Sequence, residues 1–272
     1  MRIAIFGNNS LLASGFKELL DGHDVQIFRY TDFDLIANKL PSFDWIINFG
    51  FDIRCLSNIL KPEDNLDFKI AKKIISSRTK MVFLSSRKVY KKKVQTFNYR
   101  EDDELLGLDL YSKNKIIQEK ELEKYLKDRL LILRIPNVIA RPTISLKSSS
   151  PTFSPWLCKQ ILKKTEIILD RPYEKKDFIT LLFFQQTLQQ LIINDANGVY
   201  NVSSGKFIEP IRLVKLYTGN KVKFRILDQQ IGFNDDFVLC NDKLFKDYGI
   251  KMLESDFLNY LTICSKEIES II

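Results

Sequence analysis

Short apolar runs alternate with helical stretches along the first half of the chain, and this order of elements constrains the fold more than any other feature. Each run has about the length of one strand, and each is followed by a stretch long enough for a helix. Such alternation predicts an α/β fold with a doubly wound parallel sheet. The predicted strands are residues 2–6, 25–28, 45–49, 80–85 and 130–135, and the predicted helices are residues 14–20, 33–39, 65–76 and 112–127.

The second half of the chain predicts a smaller domain. Residues 197–202 contain a turn and a late edge strand, whereas the Ser- and Pro-rich segment from Pro142 to Pro155 is predicted to be a loop that leaves the sheet. Residues 208–272 have a mixed and shorter periodicity, which indicates a small lid over the carboxyl edge of the sheet. The predicted division places residues 1–145, joined by 177–205, in one domain, and residues 146–176 and 206–272 in the other.

Length and hydropathy favour a soluble protein. The chain has 272 residues, of which 45% are hydrophobic, and this length suits one large α/β domain with a small partner domain. No apolar run approaches the ~18 residues that indicate a membrane span. The first predicted strand begins at Arg2, so no signal peptide precedes it. We therefore expect a cytoplasmic protein with no membrane partner.

The net charge of +8 could indicate a nucleic-acid partner. The lysines are dispersed, however, and within residues 113–127 they are interleaved with Glu119, Glu121 and Glu123, which is typical of a solvated helix. We therefore expect no nucleic-acid partner. The positive excess instead suits an anionic small ligand, such as a dinucleotide or a nucleotide diphosphate.

Cysteine and histidine usage limits the available chemistry. The four cysteines, Cys55, Cys158, Cys240 and Cys264, are widely spaced, so we expect reduced thiols rather than a zinc site or a disulfide framework. The single histidine, His23, lies at a predicted turn. We therefore expect no metal.

The spacing of Tyr111 and Lys115 is the first indication of an active site. Four residues are about one helical turn, so on a helix the phenol and the ammonium share one face. A nearby cation stabilises a phenolate, which suits proton transfer at a carbonyl or an alcohol. Upstream, an apolar run ends at Ser85 and Ser86, and ligands bind beyond the carboxyl ends of strands in open α/β sheets. Alone, Tyr-x-x-x-Lys is most often a solvated helix face.

Six segments, taken in order, resemble the extended short-chain dehydrogenase/reductase family, in particular its nucleotide-sugar epimerase, dehydratase and reductase branch. The resemblance covers essentially the whole chain, and its strength lies in the order because each motif alone is weak. The segments are the Gly7, Ser10 and Ala13 turn, Ser86-Arg87-Lys88-Val89-Tyr90, the Tyr111 and Lys115 pair, residues 133–142, Lys176-Asp177-Phe178-Ile179, and Gly198-Val199-Tyr200-Asn201-Val202.

The chain departs from the family pattern at two places. Ser10 and Ala13 replace the second and third glycines of the first turn, where glycine allows the backbone to approach a pyrophosphate. A phosphate on the amino terminus of the following helix remains an expectation. Arg87 and Lys88 stand where the dehydratases of this family carry an Asp-Glu pair. Elimination of water needs an acid and a base, so a sugar dehydratase is disfavoured.

The resemblance implies a Rossmann-like dinucleotide-binding domain and a small C-terminal substrate-binding domain. It implies that Tyr111 is the general acid, that Lys115 lowers the pKa of Tyr111 and bonds the nicotinamide ribose, and that Ser86 bonds the substrate oxygen. The implied cofactor-binding residues are Gly7, Ser10, Leu11, Arg29, Phe49, Gly50, Lys115, Pro136 and Val138, and the implied substrate-binding residues are Ser86, Arg87, Asn137 and Lys176.

Arg29 favours NADP(H) over NAD(H). It follows the second predicted strand, where an acidic residue would hold the ribose hydroxyls in an NAD enzyme, and the next acid is Asp32. A guanidinium suits a 2′-phosphate through charge-assisted, bidentate bonds.

The predicted activity is an NAD(P)-dependent reduction of a nucleotide-activated 4-keto-(6-deoxy)sugar, as in deoxysugar and O-antigen biosynthesis, with a nucleotide-diphosphate sugar as partner. One alternative is a nucleotide-sugar epimerase with tightly bound NAD, and another is a non-catalytic dinucleotide-binding or RNA-binding relative. The family commonly dimerises through two helices, so a homodimer is expected. We expect the predicted site residues to converge at one edge of the sheet, with Lys176 facing the same cleft from the other side.

Overall fold

The chain divides into two compact units. A computed structural model describes residues 1–93, 98–148, 150, 152–163, 166–169, 171–226 and 235–271. The first unit comprises Met1–Lys93, Glu101–Ile135 and Gln185–Asn201. The second comprises the described residues of Val94–Arg100, Pro136–Phe184 and Val202–Ile272.

The first unit is built on a six-stranded parallel sheet. Its described helices are α1 (Phe16–Leu19), α2 (Phe33–Ile36), α3 (Leu66–Ile74) and α4 (Leu110–Leu126), together with most of α7 (Leu181–Ile193). The strands are β1 (Arg2–Phe6), β2 (Asp24–Phe28), β3 (Trp45–Asn48), β4 (Lys80–Ser86), β6 (Leu130–Ile135) and β10 (Gly198–Asn201).

The strand order is β10-β6-β4-β3-β1-β2, and every neighbouring pair is parallel. The chain steps from β1 to one side to form β2 and then returns to the other side to form β3. The order therefore reverses between β1 and β3, and such a switch point leaves a crevice at the carboxyl ends of the two strands. The predicted fold class and strands are confirmed. The central strands read as continuous apolar runs because both faces are covered, as β3 shows with all four residues buried.

The α3 and α4 side of the sheet carries a large apolar core. Phe68 and Ile74 of α3 and Leu122 of α4 pack against Met81 and Phe83 of β4. Asn65 caps α3 by accepting hydrogen bonds from the backbone of the first turn, and Asp109 with Ser112 forms a capping box on α4. Because that box starts the helix at Leu110, α4 begins two residues before the predicted start.

Among its described residues, the second unit contains three short parallel strand pairs. β7 (Asn137–Ile139) pairs with β9 (Phe178–Thr180), β5 (Asn98–Tyr99) with β12 (Val238–Leu239), and β8 (Ile167–Leu169) with β11 (Phe224–Ile226). Its described helices are α5 (Pro142–Ser145), α6 (Phe153–Leu162), α8 (Pro210–Thr218), α9 (Asp242–Tyr248) and α10 (Glu254–Ile271). A separate apolar core around Tyr217 and Leu261 holds α8 and α10 together.

The predicted loop from Pro142 to Pro155 is wrong over most of its described length. Pro142 begins α5 and Pro155 lies in the first turn of α6, where the missing amide hydrogen of proline costs no helical bond. These prolines mark helix starts rather than an extended loop. Ser149 and Pro151 lie outside the described residues.

Two further observations bear on the sequence-based expectations. All four cysteines are buried, as predicted, and none of the four is in a disulfide. Among the residues that the structure describes, no helix is both long and apolar enough to cross a membrane.

Candidate active site

A cavity of about 510 Å³ lies in the first unit. Gly7, Asn48 and Gly50, at the carboxyl ends of β1 and β3, form one part of its wall, and Tyr111 and Lys115 of α4 form another. The cavity therefore occupies the switch point of the sheet, which is where open α/β folds bind ligands. Of the predicted site residues in this unit, Gly7, Gly50, Tyr111 and Lys115 line it.

Gly7 and Gly50 bring two strand ends into unusually close approach. Gly7 has a φ of 82°, and a Cβ atom there would lie 2.4 Å from the backbone nitrogen of Gly50. The amide of Gly50 donates to Asn48 Oδ1 at 2.8 Å, which fixes the Gly50 backbone beside β1. Glycine at position 7 is therefore required by the neighbouring backbone and by the left-handed conformation.

The turn after Gly7 is held together locally. Ser10 Oγ accepts a 3.4 Å hydrogen bond from the amide of Leu12, and Leu11 is buried. Phe49 is also buried, with its ring 5.5 Å from that of Phe16. The following helix, α1, comprises Phe16–Leu19. A phosphate at the amino terminus of the helix that follows this turn stays a prediction.

Arg29 lies at the end of β2 with an exposed side chain. Its guanidinium contacts Asp32 at 3.1 Å, and its backbone amide donates to the same carboxylate at 2.8 Å. Tyr30, the next residue, lines the cavity. The ion pair with Asp32 therefore orients the Arg29 side chain at the end of β2.

Tyr111 is in the first turn of α4, where the capping residue Asp109 fixes its backbone. Its ring lies 5.9 Å from that of Phe51, and the Lys88 ammonium lies 6.0 Å from its centroid. Burial raises the pKa of Tyr111 to about 12, whereas the side chains of Ser86 and Arg87 act to lower it. The phenol is therefore protonated at neutral pH, with the Ser86 hydroxyl beside it.

The Lys115 side chain is anchored on β4. Its Nζ donates to the carbonyl of Leu84 at 2.9 Å and lies 4.5 Å from the centroid of Phe83. The Arg87 guanidinium acts to lower the pKa of Tyr111, whereas the same action by Lys115 stays a prediction. Burial lowers the pKa of Lys115, while Asp67 and Cys55 raise it.

Sequence reasoning missed most polar residues of the cavity wall, and three of them, Asn48, Asp67 and Asn114, hold its backbone and side chains in place. Asn48 Nδ2 donates to Asp67 Oδ1 at 2.9 Å, and both side chains are buried. Asn114 Nδ2 donates to the carbonyls of Cys55 and Asn58, while its Oδ1 accepts from the amide of Leu60 at 2.8 Å. Of these three, only Asn48 carried a signal, because it lies next to the carboxyl end of the strand predicted for residues 45–49.

Tyr90 and Arg134, which belong to two of the family-like segments, are structural in this unit. Arg134 pairs with Glu119 at 2.7 Å, and each side chain is only 5% exposed. Arg134 also donates to Tyr90 Oη at 3.0 Å, and that hydroxyl donates to Asn201 Oδ1 at 2.7 Å. This network ties β6, β10 and α4 together.

The remaining predicted residues belong to the second unit. Pro136 and Val138 are buried there, and Asn137 Nδ2 donates to the carbonyl of Asp177 at 3.2 Å. Lys176 Nζ lies 2.7 Å from a carboxylate oxygen of Glu174 and of Asp235. A diphosphate at Lys176 would have to compete with these carboxylates, so that contact stays a prediction.

Solved structures of nucleotide-sugar epimerases and reductases share this fold over the whole chain. A UDP-N-acetylglucosamine 4-epimerase from Methanobrevibacter ruminantium M1, in complex with UDP-N-acetylmuramic acid, is 18% identical with a TM-score of 0.82, covering 100% of this chain and 99% of that one. RMD from Pseudomonas aeruginosa, complexed with NADPH, is 15% identical with a TM-score of 0.80, covering 100% of both. A dTDP-4-dehydrorhamnose reductase from Clostridium acetobutylicum is 16% identical with a TM-score of 0.75, covering 96% and 98%.

At these identities the likeness establishes the fold, and the Rossmann-like architecture predicted from the sequence is confirmed. No protein-family model and no curated protein matches the chain.

Proposed function

We propose that this chain is an NAD(P)-dependent reductase of a nucleotide-activated 4-keto-(6-deoxy)sugar, of the extended short-chain dehydrogenase/reductase type. The observation that carries the proposal is the placement of Tyr111 and Lys115, one helical turn apart, on the wall of the switch-point cavity. Solved proteins with this fold include both a reductase of such a sugar and an enzyme complexed with NADPH.

The cavity fits a dinucleotide in two respects. Its wall at Gly7 and Gly50 is bare backbone, which a ligand can approach closely. Gln118 also lines the cavity, and its buried Oε1 has no hydrogen-bond partner, so a donor from a bound ligand would satisfy it. Gly7, Gly50, Tyr111 and Lys115 would hold the dinucleotide, with Ser10, Leu11, Phe49, Pro136 and Val138 as further proposed contacts.

In the proposed mechanism Tyr111 protonates the carbonyl oxygen of the substrate, and Ser86 hydrogen-bonds the same oxygen. The bound reduced nicotinamide supplies the hydride. Because the pKa of Tyr111 is about 12, the phenol carries the proton that reduction requires at neutral pH. Arg87, Asn137 and Lys176 are the proposed contacts to the nucleotide-diphosphate sugar.

We propose NADP(H) as the preferred cofactor, with Arg29 as the group that contacts a 2′-phosphate. The guanidinium is already oriented by Asp32. The carboxylate oxygens of Asp32 also support a second candidate function. If Asp32 instead holds the ribose hydroxyls, NAD is preferred, as expected for an epimerase with tightly bound NAD. Titrating both dinucleotides against wild type and Arg29→Ala distinguishes these possibilities: NADP binding falls in the variant only if Arg29 contacts the phosphate.

The test of the activity is the oxidation of NADPH or NADH with a panel of nucleotide-linked 4-keto-6-deoxy sugars. Tyr111→Phe should lower kcat by about 10²–10⁴-fold while leaving dinucleotide affinity within a few fold. Tyr30→Phe is the matched control, since Tyr30 also lines the cavity. Wild-type turnover in Tyr111→Phe would exclude the proposed role. Sugar interconversion without net consumption of the dinucleotide would indicate the epimerase. The proposed homodimer is tested separately by sedimentation.

A further inference from the structure

Four charged side chains line the cavity, and they are Asp52, Arg54, Asp67 and Lys115. Asp52 and Arg54 form a direct ion pair at 2.7 Å. Among the described residues, neither Asp67 nor Lys115 has an ion-pair partner of its own. One buried anion, Asp67, and one half-buried cation, Lys115, therefore remain in the same cavity.

Asp67 is held in place as an acceptor. Its amide donates to Asn65 Oδ1 at 2.9 Å, within the cap of α3. Asn48 uses its Oδ1 to accept from Gly50 and its Nδ2 to donate to Asp67. The Asn48 amide is thus fixed so that it presents N–H groups to the carboxylate, and the amino terminus of α3 also favours negative charge.

Lys115 faces few other titratable groups. Asp67 approaches from α3, Cys55 from the Ile53–Leu56 turn, and Glu119 from α4 itself. Glu119 is already bonded to Arg134. Burial raises the pKa of Asp67 and lowers that of Lys115, and in each case the charge of the other residue opposes the shift. Asp67 is therefore the acid that can stabilise the charged form of Lys115.

We propose that Asp67 is a positioning residue, whose buried carboxylate serves as the counter-ion that keeps Lys115 an ammonium at the Tyr111 end of the cavity. Its consequence for hydride transfer rests on the proposed function, because it requires that Tyr111 and Lys115 act on a bound dinucleotide and substrate. The electrostatic part depends only on the protein.

The experiment compares Asp67→Asn with wild type in ligand-free protein. The amide keeps an oxygen for Asn48 but loses the charge. Acetic anhydride modifies only the neutral amine, so the pH dependence of Lys115 acetylation, read by peptide mass spectrometry against exposed Lys113, reports the Lys115 titration. A nearby opposite charge shifts a pKa by about 1 unit or more, so the variant should lower the midpoint of the Lys115 titration by at least about 1 pH unit. Asp52→Asn is the matched control and should leave the midpoint unchanged.

An unchanged midpoint in Asp67→Asn, or an equal shift in Asp52→Asn, overturns the proposal. If the midpoint shifts but the protein reduces none of the sugars, the proposed role of Asp67 as counter-ion is supported and the proposed function is excluded. In an active protein, the alkaline limb of the pH–rate profile should move to lower pH with the midpoint.

If Asp67→Asn does not fold, Lys115→Met gives a second test. Loss of the cation raises the folded-state pKa of Asp67 further, and a raised carboxyl pKa removes stability as pH rises through it. The stability of Lys115→Met relative to wild type should therefore fall from about pH 4 toward neutral pH. A constant difference over that range overturns the proposal.

Discussion

Two properties of Gly7 oppose its replacement by alanine: its left-handed backbone conformation and the close approach of the Gly50 backbone. The left-handed φ of 82° alone costs a side chain about 1–2 kcal/mol. The added Cβ would also lie 2.4 Å from the Gly50 nitrogen, a distance that requires the backbone to shift. We expect Gly7→Ala to lose about 2–5 kcal/mol in free energy of unfolding, since overpacking costs typically about 1–3 kcal/mol beyond the strain.

Gly15→Ala is the matched control, because Gly15 has a φ of 78° but no atom within 4 Å of a built Cβ. The free energy of unfolding of Gly15→Ala should fall only by the cost of the backbone strain, about 1–2 kcal/mol. Urea denaturation followed by circular dichroism and by the fluorescence of buried Trp45 measures both variants. A gap of about 2 kcal/mol corresponds to roughly 4–8 °C in Tm. Equal losses in the two variants would refute the steric argument.

Three further outcomes are expected. Arg134→Met leaves Glu119 charged and buried, so unfolding in urea should show a loss of about 3–5 kcal/mol, and addition of Glu119→Leu should recover part of it; no recovery would contradict the pairing. Tyr217→Phe removes a 2.8 Å bond to a backbone carbonyl and should cost about 1–2 kcal/mol, whereas exposed Tyr173→Phe should cost almost nothing. Burial would raise the pKa of Asp109, but bonds from side chains including that of Lys88 hold it at about 2. Its stabilisation is therefore complete above about pH 4 and is lost as pH falls toward 2, a dependence that acid titration should find absent in Asp109→Asn.

The sheet was predictable because its buried parallel strands correspond to contiguous apolar segments of the sequence. The helix boundaries were less so, since they depend on caps such as Asp109 that act over only a few residues. The prediction of a loop from Pro142 to Pro155 was wrong because proline is common both in loops and at helix starts.

The candidate site was predictable where a residue type is tied to a backbone position, as at Gly7, or to helical spacing, as at Tyr111 and Lys115. Asp67 was not, since an acid in the first turn of a helix usually faces solvent, and only tertiary packing buries it. The bond from Lys115 to the carbonyl of Leu84 likewise depends on the packing of α4 on β4.

The Asn114 side chain, placed between Tyr111 and Lys115, joins the segment from Cys55 to Leu60 to α4 through hydrogen bonds to both its carbonyls and its amide. Movement of that segment alone is disfavoured, because it would break two bonds of the Asn114 Nδ2 and leave the buried Oδ1 of Asn114 without the Leu60 amide. The segment and the first turns of α4 should therefore open together as one cooperative unit, with a shared opening free energy in amide exchange. A ligand that entered the cavity past this segment would have to wait for a partial unfolding of the helix that carries the proposed general acid.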